Sequence, residues 1–246
     1  AELFYDVPNT RMRVFGGWRG PGAAAHRYGV GPWRAPGANM NVFARESHLD
    51  VMAAAAKIDP LEFRLRNTSD PRARSVFEAA AKALGWKAGP GPTGRGQGIA
   101  CGVDSESYAA LAVEVKVDRA SGKVTVERVV CAQDMGIVVS PDGATMQVEG
   151  CITMGLGYVL AEEVRIRDGK VLDENFDTYE IPRFSWLPKI ETVLVRNDAL
   201  PPKGGGEPAI VPMGAAIANA VFDATGARVH RLPLTPLRVK AALASA

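Results

Sequence analysis

The sequence predicts an α+β fold for this chain of 246 residues. Three observations carry that prediction. Helix-start signals crowd the first third of the chain, strand patterns fill the middle, and no regular βαβ alternation joins them. Residues 1–38 are rich in Gly, Pro and Arg without periodicity and read as an extended segment wrapped on a partner, because so long a structureless run is unusual in a compact domain. The rest, 39–246, reads as one domain, with two lobes meeting near 88–98 as an option.

The elements follow in order. Asn39 is placed to cap a helix running to about Lys57, with Phe43, Val51, Met52 and Ala55 toward a core. Asp59-Pro60-Leu61-Glu62 combines an N-cap acid, a proline at the first helical position and a glutamate at the capping-box position. Asp70-Pro71 repeats that start for a helix ending at Leu84, with Gly85 as its stop. Residues 88–98 (AGPGPTGRGQG) read as punctuation, either a linker or a loop approaching something closely. Segments 109–117 and 123–131, joined by an Asp118–Gly122 turn, read as a hairpin. Ser140-Pro141 opens a helix through 160, segments 158–166 and 189–196 read as strands, and a last helix spans Met213–Thr225 before Gly226.

Composition excludes several function classes. Hydrophobic residues make up 47% and charged residues 23%, ordinary for a globular protein. The net charge of +2 with no basic run argues against nucleic acid or a membrane surface as partner. No apolar stretch reads as long enough to span a bilayer, and no signal peptide is visible. The chain opens at Ala1 without an initiator Met, which suggests a processed or truncated start and leaves localisation, cytoplasmic or periplasmic, open. Cys101, Cys131 and Cys151 form no CxxC pair and read as small buried hydrophobes; an iron–sulfur cluster needs about four such ligands, so none is expected on this chain. His26, His48 and His230 stand too far apart for a local metal motif.

Glycine is the informative residue type. Gly143, Gly150 and Gly157 fall seven apart and share a helix face, so a backbone or a ligand is expected against that face, with Gln147 and Thr153 nearby. The small residues of 213–225 leave room for a large flat polar group. No GxGxxG follows a strand and no GxxxxGK[ST] exists, which weakens a nicotinamide, flavin or P-loop reading. Gly204-Gly205-Gly206-Glu207-Pro208 sets one carboxylate on a bare backbone. Proline biases Glu207 toward extended geometry, and an acid so held can serve as a general base. A tight loop with a solvated glutamate is the plain alternative.

Lys203-Gly204-Gly205-Gly206-Glu207-Pro208 with the following AIVPMGAAIANA resembles the catalytic-glutamate segment of the xanthine dehydrogenase/aldehyde oxidase family of molybdenum hydroxylases. Trp33-Arg34-Ala35-Pro36-Gly37, Phe43–Ser47 and Asp59–Leu65 resemble the start of the second cofactor-binding half of its large subunit. Gln147-Val148-Glu149-Gly150 with Gly155-Leu156-Gly157 resembles a segment that packs around the pterin, and Val129–Gly136 with Ser140–Asp142 fills the stretch before it. These motifs are colinear over nearly the whole chain and look closest to the bacterial branch that includes isoquinoline 1-oxidoreductase and related aldehyde dehydrogenases.

The resemblance implies an oxidoreductase acting on an aldehyde or N-heterocycle, with water as the oxygen source. It implies a molybdopterin cofactor, in bacteria often its cytosine dinucleotide, whose dithiolene binds molybdenum so that no protein ligand is required. Glu207 would be the base that deprotonates Mo–OH, with hydride passing to Mo=S. Arg34, Ala35, Pro36, Gly37, Gln147, Gly150, Gly155, Gly157, Gly205 and Gly206 would lie on the cofactor side, Arg34 through backbone more than charge. The helix starts near Ser140 and Met213 would help hold phosphates. The family's large subunit is much longer, so the resemblance implies a missing N-terminal half as partner. It also implies a small iron–sulfur subunit carrying electrons away, with a flavin or cytochrome subunit as a further option. A non-catalytic assembly module, or an isolated fragment without cofactor, is the alternative.

Overall fold

The computed structural model describes residues 3–11, 31–87 and 93–245. Most of the expected segment 1–38 falls outside them, as do residues 88–92 of the glycine–proline run.

Three helices come first. α1 (Ala38–Ala56) starts at Gly37, in the left-handed region with φ 75°, without a side-chain cap. Asn39 lies inside the first turn instead of capping it and donates to the Arg34 carbonyl at 2.9 Å. The inward face of α1 is Val42, Glu46, Leu49, Asp50 and Ala53, while Met52 and Ala55 face solvent. Apolar spacing misplaces this face because two of its positions are acids neutralised by distant arginines. α2 (Pro60–Arg66) and α3 (Pro71–Leu84) begin as predicted, with Asp59 accepting from the Leu61 and Glu62 amides and Asp70 from those of Arg72 and Ala73. α3 stops at Gly85, in the left-handed region with φ 78°.

A four-stranded sheet follows, in the order β1 (Arg95–Asp104), β2 (Ser107–Val117), β3 (Val124–Asp134) and an outer strand, Lys189–Leu194. The predicted β2–β3 hairpin is present, closed at Val117 and Val124. The Asp118 carboxylate caps the turn by accepting from Ala120 and Ser121 N–H, each at 2.9 Å. β1 is the correction: residues 95–98, read as punctuation, begin a strand antiparallel to β2. α4 (Pro141–Leu160) opens on Ser140, whose side chain accepts from Gly143 N–H, and continues through 158–160, where a strand was expected. Of that expected strand only β4 (Ile166–Arg167) exists, paired with β5 (Lys170–Val171). The outer strand of the main sheet, β6 (Lys189–Leu194), runs parallel to β3. α5 (Met213–Thr225) ends at Gly226 as expected, and α6 (Pro236–Leu243) was not anticipated.

The sheet is covered on both faces. α3 with Phe4 and Tyr5 packs on Ile99, Cys101, Ala110, Ala112, Val130 and Ala132. α4 and α5 pack on the alternate residues Ala100, Ala109, Leu111, Val113 and Cys131. Each fully buried large side chain, such as Phe77 or Ile217, contributes about 1.5–3 kcal/mol. Pro208–Thr225 is in fact apolar enough over 18 residues to cross a membrane, but 89% of it is buried as the central core helix.

The approach of α5 to β1 explains the glycines there. A Cβ at Gly96 would fall on the Ala220 carbonyl and the Ala224 amide, and one at Gly98 on the Ala216 carbonyl and the Ala220 amide. Glycine on the strand and alanine every fourth residue on the helix let two backbones touch. The small face of α5, expected to leave room for a ligand, is therefore filled by the sheet.

One end of this seam holds a buried ion cluster. Glu46, fully buried, accepts from Arg64 Nε (3.0 Å), Arg45 Nε (3.0 Å) and the Tyr5 hydroxyl (3.0 Å). Asp50 accepts from Arg228 (2.6 Å) and Arg64 (3.4 Å), and Asn219 of α5 donates to the Glu46 and Ile99 carbonyls. Burial, then the charge of Glu46, pushes the Tyr5 phenol well above its usual range. The cluster ties α1, α2, α5 and the N-terminal residues to β1.

Candidate active site

The segment after β6 returns beside the end of β3. Its course is set by main-chain bonds: Ile137 N–H to the Leu200 carbonyl (3.1 Å) and Lys203 N–H to the Met135 carbonyl (2.8 Å). Gly136 makes the close approach possible, with φ 69° and a hydrogen where a Cβ would strike the Pro201 carbonyl. Asp134 holds that turn. Its carboxylate accepts from Gly136 N–H (2.9 Å), Arg72 Nε (2.8 Å) and Asn197 (2.9 Å). Burial pushes its pKa up, but these bonds outweigh burial and hold the carboxyl below its ordinary value.

The Gly204–Gly206 run is held residue by residue. Gly204 N–H donates to the Ser105 carbonyl (3.2 Å) in the β1–β2 turn, and Lys203 Nζ pairs with Glu106 of the same turn (2.5 Å). The Gly205 carbonyl accepts from the buried Gln133 amide (3.3 Å). The Gly206 carbonyl accepts from Arg34 Nε (2.9 Å) and Nη2, and from the Cys151 thiol (3.3 Å). Burial pushes that thiol up to about 11 despite the Arg34 charge, so near neutral pH it is an S–H donor.

Glu207 is half-buried and begins the short 3-10 turn Pro208–Ile210 that leads into α5. Its backbone is not extended, as proline alone would favour, but sits at φ −123° and ψ −31°. The Ile210 N–H bonding back to its carbonyl (3.1 Å) accounts for the turn. Beside it lies an open cleft of about 380 Å³ lined by Met135, Ile137, Ser140, Gln147, Gly205 and Gly206, among others.

Of the residues singled out from sequence, Arg34, Gln147, Gly150, Gly205, Gly206 and Glu207 come together here. Gly150 faces Arg34, whose Nη1 would lie 3.5 Å from a Cβ at that position. Ala35, Pro36 and Gly37 form the adjoining turn into α1, with Ala35 fully buried. Gly155 and Gly157 do not reach the cleft. Gly155 packs under Met213, with 2.7 Å left for a Cβ, and Gly157 under Glu162 and Pro182. The start of α5, expected at a phosphate, is buried, and its Gly214 N–H donates to the Tyr158 hydroxyl (3.0 Å).

Gln133, Cys151 and Ser105 are site residues that the sequence reading did not assign. Only Gln133 carried a signal, as a polar residue inside an apolar strand run. Among the described residues no group of three or more His, Cys, Asp or Glu side chains is placed to hold a metal ion.

A family model described as the molybdopterin cofactor-binding domain matches residues 25–188. One subunit of nicotinate dehydrogenase from Pseudomonas putida is 39% identical over 226 residues, covering 85% of this chain and 19% of that protein. The beta subunit of isoquinoline 1-oxidoreductase from Brevundimonas diminuta is 34% identical over 236 residues, covering 94% of this chain and 29% of that one. Aldehyde oxidoreductase from Desulfovibrio gigas shares the fold, with a TM-score of 0.74 over 89% of this chain and 42% of its own at 17% identity. The chain thus spans 19% and 29% of the length of these two curated relatives. The family match and the two curated relatives carry one conclusion: this chain belongs to the molybdopterin cofactor-binding family of molybdenum hydroxylase large subunits.

Proposed function

We propose that this chain carries the general base of a molybdenum hydroxylase that oxidises an N-heterocycle or an aldehyde with oxygen taken from water. The carrying observation is the setting of Glu207. It follows three glycines whose backbone is bonded at each residue, and the last two of them, Gly205 and Gly206, line an open cleft. Two relatives named for nicotinate and isoquinoline support the N-heterocycle arm.

The residues fit the cofactor. Gly206 presents bare backbone, where a Cβ would meet only Gln147 Oε1 at 3.6 Å. The buried Oε1 of Gln133, beneath Gly205, has no partner among the described residues. Gln147, Gly205 and Gly206 would hold the group's polar edge, with the Ala35–Gly37 turn alongside. The start of α4 at Ser140, on the cleft wall, suits the phosphates of a cytosine dinucleotide form. When bound, the molybdenum cofactor supplies the two-electron redox centre.

Glu207 accepts a proton at a carboxylate oxygen and later releases it to water. The glycine run lets its carboxylate approach without a neighbouring Cβ intervening. The rest of a longer large subunit would close the cleft, and a separate iron–sulfur subunit would take the electrons.

Glu207→Gln in the complete enzyme should leave molybdenum content unchanged and lower kcat roughly 10²–10⁴-fold. Near-normal turnover would remove the base assignment.

A further inference from the structure

Three glycines before a catalytic acid create a problem as well as an opening. They remove obstruction, but they also let the acid wander. Something must fix the peptide plane that carries it.

We propose that Arg34 is a positioning residue for Glu207, acting through the Gly206 carbonyl; the proposal rests on the reading of Glu207 as the base. The Gly206 carbonyl and the Glu207 N–H belong to one planar peptide. Fixing that carbonyl fixes the plane that carries the Glu207 Cα, and the turn closed by Ile210 N–H on the Glu207 carbonyl then sets the direction from which the side chain departs. Arg34 Nε reaches the carbonyl at 2.9 Å, and Nη2 reaches it as well.

The guanidinium is itself anchored on α4. Nη2 donates to Gln147 Oε1 (2.8 Å) and to the Gln147 carbonyl (3.3 Å), and Nη1 lies 3.3 Å from Met154 Sδ. Gln147, Gly150, Cys151 and Met154 share one face of the helix by their three- and four-residue spacing. Gly150 lies against the guanidinium, with room for a Cβ in ordinary contact with Nη1, and Cys151 adds its S–H to the same carbonyl. The other end of the arginine is fixed by Asn39, which donates to its carbonyl at 2.9 Å. Only a planar fork can serve one carbonyl with two N–H groups while the rest of the group engages a helix. A lysine ammonium can reach one partner of this set but cannot reproduce the fork. The spacing that made 143–157 resemble a ligand-facing helix is, at Gly150, the seat of this clamp.

The test uses the complete enzyme, loaded and cofactor-free. Arg34→Lys should keep molybdenum content and change KM less than about twofold while lowering kcat about a hundredfold, the cost of a misplacement near 1 Å. In the cofactor-free protein, amide exchange across 204–207 should quicken. Glu207→Gln with Arg34→Lys together should be no slower than Glu207→Gln alone, because Arg34 acts only through that acid. Gln147→Ala, which removes one anchor of the guanidinium at an exposed helix position, should quicken exchange in the cofactor-free protein in the same direction by less.

Loss of molybdenum in Arg34→Lys would make it a cofactor holder and overturn the proposal, as would additive losses in the double variant. Unchanged exchange overturns it whatever Glu207 does. Normal turnover of Glu207→Gln overturns the base reading instead, and leaves faster exchange in Arg34→Lys as support for the clamp.

Discussion

A Cβ at Gly98 would fall on the backbone of α5, whereas a Cβ at Gly206 would meet only the tip of the Gln147 side chain, at 3.6 Å. Both glycines sit in runs that look alike in sequence, GRGQG and KGGGE. In β1 the missing side chains are replaced by another part of the same chain, so glycine there makes the scaffold. In the 204–206 loop Gly204 and Gly205 are packed under the Ser105 and Met135 side chains, and of the three only Gly206 leaves room for a Cβ on the cleft, with polar anchors on its carbonyl. A glycine run therefore reports close approach without saying what approaches, and the neighbours decide between packing and function.

The sharpest way to break this contrast is to remove the ion cluster at the end of the scaffold seam. Glu46→Ala would leave the buried Arg64 with Asp50, at 3.4 Å, as its remaining acidic partner beside two backbone carbonyls, and should cost about 3–5 kcal/mol in urea unfolding of the protein. Exchange at 204–207 in the folded fraction should be unaffected. A loss under about 1 kcal/mol would mean that the cluster is not part of the frame.

The glycines themselves give the next contrast. Gly98→Ala should destabilise by about 1–3 kcal/mol, because the obstacle is helix backbone and cannot rotate away. Gly206→Ala should change stability by no more than about 0.5–1 kcal/mol yet depress turnover, since its new methyl faces the cleft. Equal stability losses in the two variants would erase the distinction between the runs.

The smallest effect concerns pH. Asp134 has a folded pKa below its unfolded value of about 3.9. Its stabilising contribution is therefore complete above that unfolded value and is lost as pH falls through the lower folded one. Acid unfolding should be less steep in Asp134→Asn, and identical curves would show that the Gly136 turn does not depend on this charge.

Local rules were legible in the chain itself. Asp59-Pro60, Asp70-Pro71 and Ser140-Pro141 marked three helix starts, Gly85 and Gly226 marked two ends, and the β2–β3 hairpin followed from alternation and its Asp118–Gly122 turn. The proposed base and its glycine run also stood out, because Gly-Gly-Gly-Glu-Pro is contiguous. These signals are readable because the atoms involved lie within a few residues of one another, where capping, proline geometry and strand period act without help from elsewhere.

Tertiary structure decided the rest. β1 was hidden because its glycines look like breakers until α5, about 120 residues later, supplies the atoms that need them. The inward face of α1 was hidden because Glu46 and Asp50 are buried only with Arg64 and Arg228 beside them. The same holds for Arg34, which meets Gly206 across 172 positions of sequence. Burial of a charge and close approach of two backbones are properties of pairs, and a sequence names the members of a pair without saying which of them meet.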